Sequence, residues 1–220
     1  MYLGDIKMIL TVGGIKGGSG KTTIATSIAI IRASQNKDVL LVDADDQETA
    51  SDFSMLRKET GSNFPGYTCI KLSGPSVRTE VISLSKKYED IIIDTGGRDT
   101  SSQRAALTVS NQLLVPFVPR SFDVWTLEKV SNLVMEIQTV NPGLKACAFI
   151  NRGDPKGQDN TDTAELLKES TSLGFLDMVI GNRKAFGNAA SKGFCVTELK
   201  PLDEKAVEEI NKLYRYLYSV

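Results

Sequence analysis

A run of glycines between a β-rich segment and a helical one constrains this chain more than any other feature. Met8-Ile9-Leu10-Thr11-Val12 reads as a strand, and Thr22 to Ala33 carries apolar residues at helical spacing. Between them lies Gly13-Gly14-Ile15-Lys16-Gly17-Gly18-Ser19-Gly20-Lys21-Thr22-Thr23. Glycines there let backbone N–H groups turn inward and wrap a phosphate. A lysine adds a point charge, and a threonine hydroxyl can bind Mg²⁺. The N-terminus of the following helix adds its positive end. Such a loop works as the joint of a strand–loop–helix unit, which commits the chain to an α/β fold.

The rest of the sequence agrees. Val39 to Val42 is a buried-type strand ending at Asp43, and Tyr67 to Leu72 a further strand. Ile91 to Ile93 ends at Asp94, Leu113 to Val115 at Pro116, and Ala146 to Ile150 at Asn151; Asp177 to Ile180 is a short strand. Helices are expected over Val77–Lys87, Val124–Val140, Thr161–Leu173 and Asp203–Tyr218. Continuous apolar strands alternating with helices predict a doubly wound, mostly parallel sheet with helices on both faces. A length of 220 residues suits one such domain over 1–220. Ligands in these folds bind beyond the carboxyl ends of the strands, where Asp43, Asp94, Pro116 and Asn151 fall.

Composition narrows the chemistry. There is no histidine, which excludes imidazole acid–base catalysis and imidazole metal sites. Cys69, Cys147 and Cys195 are far apart and form no CxxC pair, so they predict neither a metal cluster nor a disulfide framework. The expected setting is reducing and cytoplasmic. No apolar run reaches the roughly 18–20 residues of a membrane span, and the N-terminus does not read as a signal peptide. With 26 Lys and Arg against 27 Asp and Glu, the net charge of −1 predicts no bulk attraction to nucleic acid. Any such binding needs a local patch.

The glycine loop departs from the usual GxxxxGK[ST] pattern, because Ile15 holds the first glycine position and a second lysine, Lys16, opens the loop. Lys16-Gly17-Gly18-Ser19-Gly20-Lys21-Thr22-Thr23 resembles the deviant Walker A of the ParA/MinD superfamily of ATPases, and the resemblance extends loosely over nearly the whole chain. It implies a P-loop NTPase fold with Mg²⁺ and ATP as cofactors. Gly17, Gly18, Ser19, Gly20, Lys21, Thr22 and Thr23 would bind ATP. Lys21 would reach the β- and γ-phosphates, and Lys16 would act across a homodimer on the partner's ATP, as an arginine finger does elsewhere.

Val39-Leu40-Leu41-Val42-Asp43-Ala44-Asp45-Asp46-Gln47 resembles the family's DxDPQ segment, with Asp46 replacing proline. Alternation points Asp43 and Asp45 the same way, toward the γ-phosphate and Mg²⁺. By resemblance Asp45 positions or deprotonates the attacking water, and Asp43 supports the magnesium shell with Thr22 and Asp94. Ile91-Ile92-Ile93-Asp94-Thr95-Gly96-Gly97 has the Walker B pattern, in which Asp94 would hold Mg²⁺ through water. Gly96-Gly97 permits close approach to the γ-phosphate. Asn151 and Arg152 fall where the family meets adenine; Asn151 carries donors and an acceptor suited to a base edge. Val115 to Asp123 resembles the segment before the family's long interface helix. Gly181 to Gly193 resembles a late loop and helix, and makes Arg183, Lys184 and Lys192 candidates for DNA phosphates.

The function this implies is DNA partition of the ParA type. An ATP-bound sandwich dimer binds nucleoid DNA without sequence preference, and a ParB-like, centromere-bound partner stimulates hydrolysis to release it. The chain starts almost at its first strand, leaving no room for an N-terminal helix-turn-helix. The alternative is a MinD-like membrane-cycling or cargo-positioning switch. Val207, Ile210, Leu213, Tyr214 and Leu217 give the terminal helix an apolar face, but such a face more often packs on its own domain, so no stable membrane association is expected. A ligase of metabolism shares the fold and lacks a recognisable substrate motif here.

Overall fold

The computed structural model describes residues 8–60, 66–119, 124–154 and 158–218. Its strands are β1 (Met8–Val12), β2 (Val39–Ala44), β3 (Thr68–Lys71), β4 (Asp90–Thr95), β5 (Gln112–Phe117), β6 (Lys145–Gly153) and β7 (Gly174–Gly181). They form one seven-stranded sheet in the order β3-β2-β4-β1-β5-β6-β7. Every pairing is parallel. The helices are α1 (Lys21–Ser34), α2 (Thr49–Glu59), α3 (Ser76–Leu84), α4 (Ser101–Leu107), α5 (Val124–Gln138), α6 (Asp159–Lys168), α7 (Lys184–Ala190) and α8 (Glu204–Tyr218).

Period-two alternation distributes the strand side chains between two layers. Leu41, Ile92, Leu114 and Phe149 face a core shared with α1 and α8. Their neighbours Leu40, Val42, Ile91 and Ile93 pack against α3 and α4, while Leu113, Val115 and Ile150 pack against α5 and α6. Because both faces are covered, the central strands carry consecutive apolar residues, as in Leu40-Leu41-Val42 and Ile91-Ile92-Ile93, rather than one at every second position. β1 sits in the middle, with β2, β3 and β4 wound to one side and β5, β6 and β7 to the other. Its carboxyl end is therefore the switch point of the sheet, where a crevice opens.

α8 lies in the α1 layer. Ala206, Ile210, Leu213, Tyr214 and Leu217 are buried there, and Tyr214 donates to Gln35 of the α1 C-cap at 2.6 Å. The apolar face of this helix is thus spent on the domain. Among the described residues no helix is long and apolar enough to cross a membrane.

Two helices were not anticipated. α2 buries only Ala50, Ser54 and Arg57, so it has almost no apolar stripe to read. α4 begins at Thr100, whose side chain accepts from the Gln103 amide. β7 also begins three residues earlier than expected, and α6 ends at Lys168, leaving Leu173 in the approach to β7. Of the expected Val115–Asp123 segment, residues 120–123 lie outside the described residues.

Candidate functional site

The loop between β1 and α1 is held by glycine where nothing else fits. Gly20 has φ +87°, and a Cβ there would lie 2.5 Å from Nδ2 of Asn151. At Gly17 and Gly18 an added Cβ would meet nothing within 4 Å. Those two positions border open space, as a phosphate cradle requires. Ile15, at the position where a glycine was expected, packs its side chain against the β5–α5 core instead.

Lys21 is buried, and its ammonium donates to the Lys16 carbonyl across the loop at 2.8 Å. Burial holds its pKa down, against the pull of Asp94 and Asp45. Lys16 itself is half-buried at the opening of the loop. Asp94, at the end of β4, is fully buried, with the Thr22 hydroxyl near it but no well-formed hydrogen bond to either carboxylate oxygen. Burial pushes it up to about 7, with Thr22 and Lys21 acting against that rise and Asp43 and Asp45 reinforcing it. A buried carboxylate without a partner is costly unless something positive meets it.

Asp43 and Asp45 are held differently. The chain turns after Ala44, so strand alternation stops between them. Asp43 is buried, and its oxygens accept from the amides of Asp45 at 3.2 Å and Ser51 at 2.7 Å. Asp43 ties the β2–α2 turn and the first turn of α2. Asp45 alone reaches the cleft. Its Oδ1 accepts from the Gln47 amide at 3.2 Å and would lie 2.9 Å from a Cβ at Gly96.

The cleft measures about 490 Å³ and is bounded by Gly17, Gly18, Lys21, Thr22, Asp45 and Arg98, among others. A second cavity of about 410 Å³ adjoins it, sharing Gly20, Thr23 and Arg152, and is lined further by Ile24, Asn151, Asn182, Arg183 and Phe186. One is rimmed by the glycine loop, an ammonium, hydroxyls, Asp45, Asp46 and Arg98, the other by an aromatic ring, side-chain amides and the cations Arg152, Arg183 and Lys184. The pair has the polarity of a phosphate chain joined to a nucleoside.

Asn151 lines the second cavity, where the sequence places it. Its Nδ2 donates one hydrogen to the Ser19 carbonyl at 2.7 Å, so it buttresses the glycine loop from β6 and keeps one N–H and its carbonyl for another partner. Arg152 bounds both cavities from a left-handed backbone conformation, φ +56°. Arg183, a DNA candidate in the sequence, is held in an ion pair. Its guanidinium pairs with Glu209 at 2.6 and 3.0 Å and lines the nucleoside-sized cavity. Lys184 and Lys192 are exposed and share an open cleft with Lys200, a residue the sequence reading passed over because it stands beside Pro201, away from the other two. Gln103 was missed as well. Its Oε1 accepts from the Gly14 amide at 3.2 Å and the Thr95 hydroxyl at 3.0 Å, joining α4 to the glycine loop. The Thr100-Ser101-Ser102-Gln103 pattern of a capping box was its signal.

The residues present suit Mg²⁺. They offer hard oxygen donors, Thr22 and the buried Asp94. Among the described residues no group of three acidic, cysteine or histidine side chains makes a metal cage. An ion here would share its shell with water and phosphate oxygens, as Mg²⁺ commonly does.

A glycine loop at the sheet's switch point, a buried lysine and a strand-end aspartate define a P-loop nucleotide-binding protein. Residues 10–194 match the profile of the CobQ/CobB/MinD/ParA nucleotide-binding domain, and the chain belongs to that family. It is an ATPase of the ParA/MinD type. Across 207 residues it is 26% identical to the maintenance of carboxysome distribution protein A of Halothiobacillus neapolitanus, covering 93% of each chain. A variant of Cyanothece McdA in complex with ATP superposes with a TM-score of 0.80 at 17% identity, over 99% of this chain and 98% of that one. A plasmid partition protein of Borrelia burgdorferi does so with a TM-score of 0.67 at 20% identity, over 97% and 99%.

Proposed function

We propose that the chain is a Mg·ATP-driven positioning switch that closes as a homodimer, binds DNA without sequence preference, and lets go on hydrolysis. The observation that carries this is the build of the phosphate cleft. It joins the open glycine loop, the buried Lys21, Thr22 and Asp45 in one cleft, as a nucleotide's phosphates require. A second chain would bring its own Lys16 to this cleft. Within one chain, Gly17, Gly18, Ser19, Gly20, Lys21, Thr22 and Thr23 hold the phosphates. Thr22 and Asp94 hold Mg²⁺, whose charge offsets that of the phosphates when bound. Asp45 orients the attacking water, Asp43 holds the turn that carries Asp45, and Asn151 and Arg152 shape the nucleoside end.

Binding energy that differs between the ATP and ADP states is what such a switch uses to change partners. Lys184, Lys192 and Lys200 form the surface read here as facing DNA, placing the ATP-bound form on the nucleoid and the ADP form in the cytoplasm. A small partner that marks the cargo, ParB-like where the cargo is a centromere, stimulates hydrolysis. One relative is named for carboxysome distribution and another for plasmid partition; the same switch serves a DNA cargo or a protein body. The deciding measurement is DNA binding by polarisation with Mg·ATP and with Mg·ADP, beside sedimentation for the dimer. Binding in ATP alone, parallel to dimer formation, is expected. ATP-dependent binding to anionic liposomes with none to DNA moves the chain to the membrane-cycling reading, which the buried apolar face of α8 opposes.

A further inference from the structure

Arg98 stands on the turn between β4 and α4, directly after Gly96 and Gly97, and borders the phosphate cleft together with Asp45 and Gln47. Three features fix this turn. Thr95 and Thr100 anchor its ends, through Thr95 Oγ1 to Gln103 at 3.0 Å and the Gln103 amide to Thr100 Oγ1 at 3.1 Å. In its middle, Gly97 lies against the glycine loop so closely that a Cβ there would sit 2.5 Å from the Gly17 nitrogen. The turn therefore rests on the backbone that surrounds the phosphates, and Arg98 is the next residue.

Asp45 and Asp46 border the same cleft as Arg98, and the acid beside it in sequence is Asp99. That carboxylate is taken: Arg104 of α4 grips it in a two-point pair at 2.8 and 2.7 Å, and a further contact from Arg104 to Glu136 of α5 at 2.8 Å steadies the guanidinium. Among the described residues Arg98 enters no ion pair that would hold it away from an incoming anion. A planar guanidinium matches a phosphate with two parallel hydrogen bonds.

We infer that Arg98 is a further catalytic group, a guanidinium that binds the terminal phosphate of ATP held in the cleft of its own chain, with Arg104 as the positioning residue that keeps Asp99 from neutralising it. The inference rests on the ATPase reading. In the reaction a water oxygen bonds to the γ-phosphorus as the bond from phosphorus to the β–γ bridging oxygen breaks, giving ADP, phosphate and a proton released to solvent. Arg98 gains and loses no proton. It stabilises charge on the phosphoryl oxygens as that charge shifts. ADP lacks the group it binds, so Arg98 also separates the two nucleotide states.

The test measures ATP and ADP affinity and single-turnover hydrolysis for the full chain with Arg98→Ala, Arg98→Lys, Arg104→Ala and the double variant Asp99→Ala/Arg104→Ala. Arg98→Ala should lose roughly tenfold or more in ATP affinity, the scale of a charged hydrogen bond, and more in hydrolysis rate, while ADP affinity holds and certifies the fold. Arg98→Lys should recover part of the loss, keeping charge without the fork. Arg104→Ala should lose ATP preference in the same direction, and removing Asp99 as well should restore it, which a merely structural role for Arg104 would not allow. Unchanged ATP preference and turnover in Arg98→Ala overturn the inference. A double variant no better than Arg104→Ala overturns the part assigned to Asp99. A wild-type chain that binds neither nucleotide overturns the ATPase reading, and the inference with it.

Discussion

At the scale of single residues, the two lysines of the loop should separate cleanly. Lys21 is buried among Asp94, Asp45 and the Lys16 carbonyl, so Lys21→Ala removes charge from the phosphate site itself. ATP affinity of the monomer should fall at least tenfold. Lys16→Gln should leave monomer affinity within about twofold and abolish ATP-dependent dimerisation; sedimentation that still shows the dimer sinks the role across the interface. Asp94 gives a prediction for the protein without nucleotide. Its pKa of about 7 lies above the ordinary carboxylate value near 4. As pH rises through that window the unfolded chain releases its proton before the folded one, so stability falls, and the penalty is complete above 7. Asp94→Asn should therefore melt higher than wild type at pH 8 without magnesium, by the equivalent of a few kcal/mol, and the advantage should vanish near pH 4. The same variant should gain nothing from Mg²⁺ when ATP is added. A variant less stable than wild type at pH 8 would mean that the carboxylate is satisfied after all.

At the scale of elements, the sequence was legible wherever apolar periodicity and a strand end coincided. All seven strands were legible from their apolar runs, and the glycine loop from its place between β1 and α1. What escaped was polar. α2 is held by Arg57, whose guanidinium meets Glu198 at 2.8 Å and the Gly193 carbonyl at 2.9 Å, contacts far apart in sequence that no local pattern displays. The split roles of Asp43 and Asp45 were hidden because alternation holds only within a strand, and β2 ends between them. Arg183 looked like a surface cation until Glu209 of α8 was placed beside it. Glycines test the account of the turns. Gly17 takes no left-handed conformation and has open space where a Cβ would go. Gly17→Ala should melt within about a degree of wild type yet lose nucleotide binding, because the methyl enters the cradle. Gly97→Ala must push apart two backbone segments, and Gly193→Ala meets the Arg57 backbone at 2.7 Å from φ +70°. Both should lower the melting temperature, Gly193→Ala by the equivalent of at least about 1 kcal/mol, without Gly193→Ala touching the phosphate site. Equal melting temperatures across the three variants would refute this ordering.

For the molecule as a whole, charge governs what it can bind. A chain with net charge −1 offers DNA little, since duplex affinity comes mainly from neutralised phosphates. Lys184, Lys192 and Lys200 collect on one open surface in the α7–α8 region. Three cations on one monomer make a weak site. Two such sites held rigidly by a closed dimer bind through effective concentration, with no new contact. DNA binding should thus appear only with ATP, show no sequence preference, and weaken steeply with salt. A charge-removing change at Lys192 takes away two phosphate contacts per dimer, so Lys192→Gln should flatten the plot of log affinity against log salt by about two units. It should lower affinity on every sequence alike and leave ATP-dependent dimerisation intact. Arg183→Gln should do the reverse. It releases Glu209 and alters the nucleoside-sized cavity, so nucleotide affinity should fall first and DNA binding only as a consequence. Polarisation measurements at several salt concentrations, with ATP and with ADP, distinguish the two variants. An Arg183→Gln chain that binds ATP normally and loses DNA would return Arg183 to the DNA surface. A Lys192→Gln chain with an unchanged salt slope would remove this cleft from it.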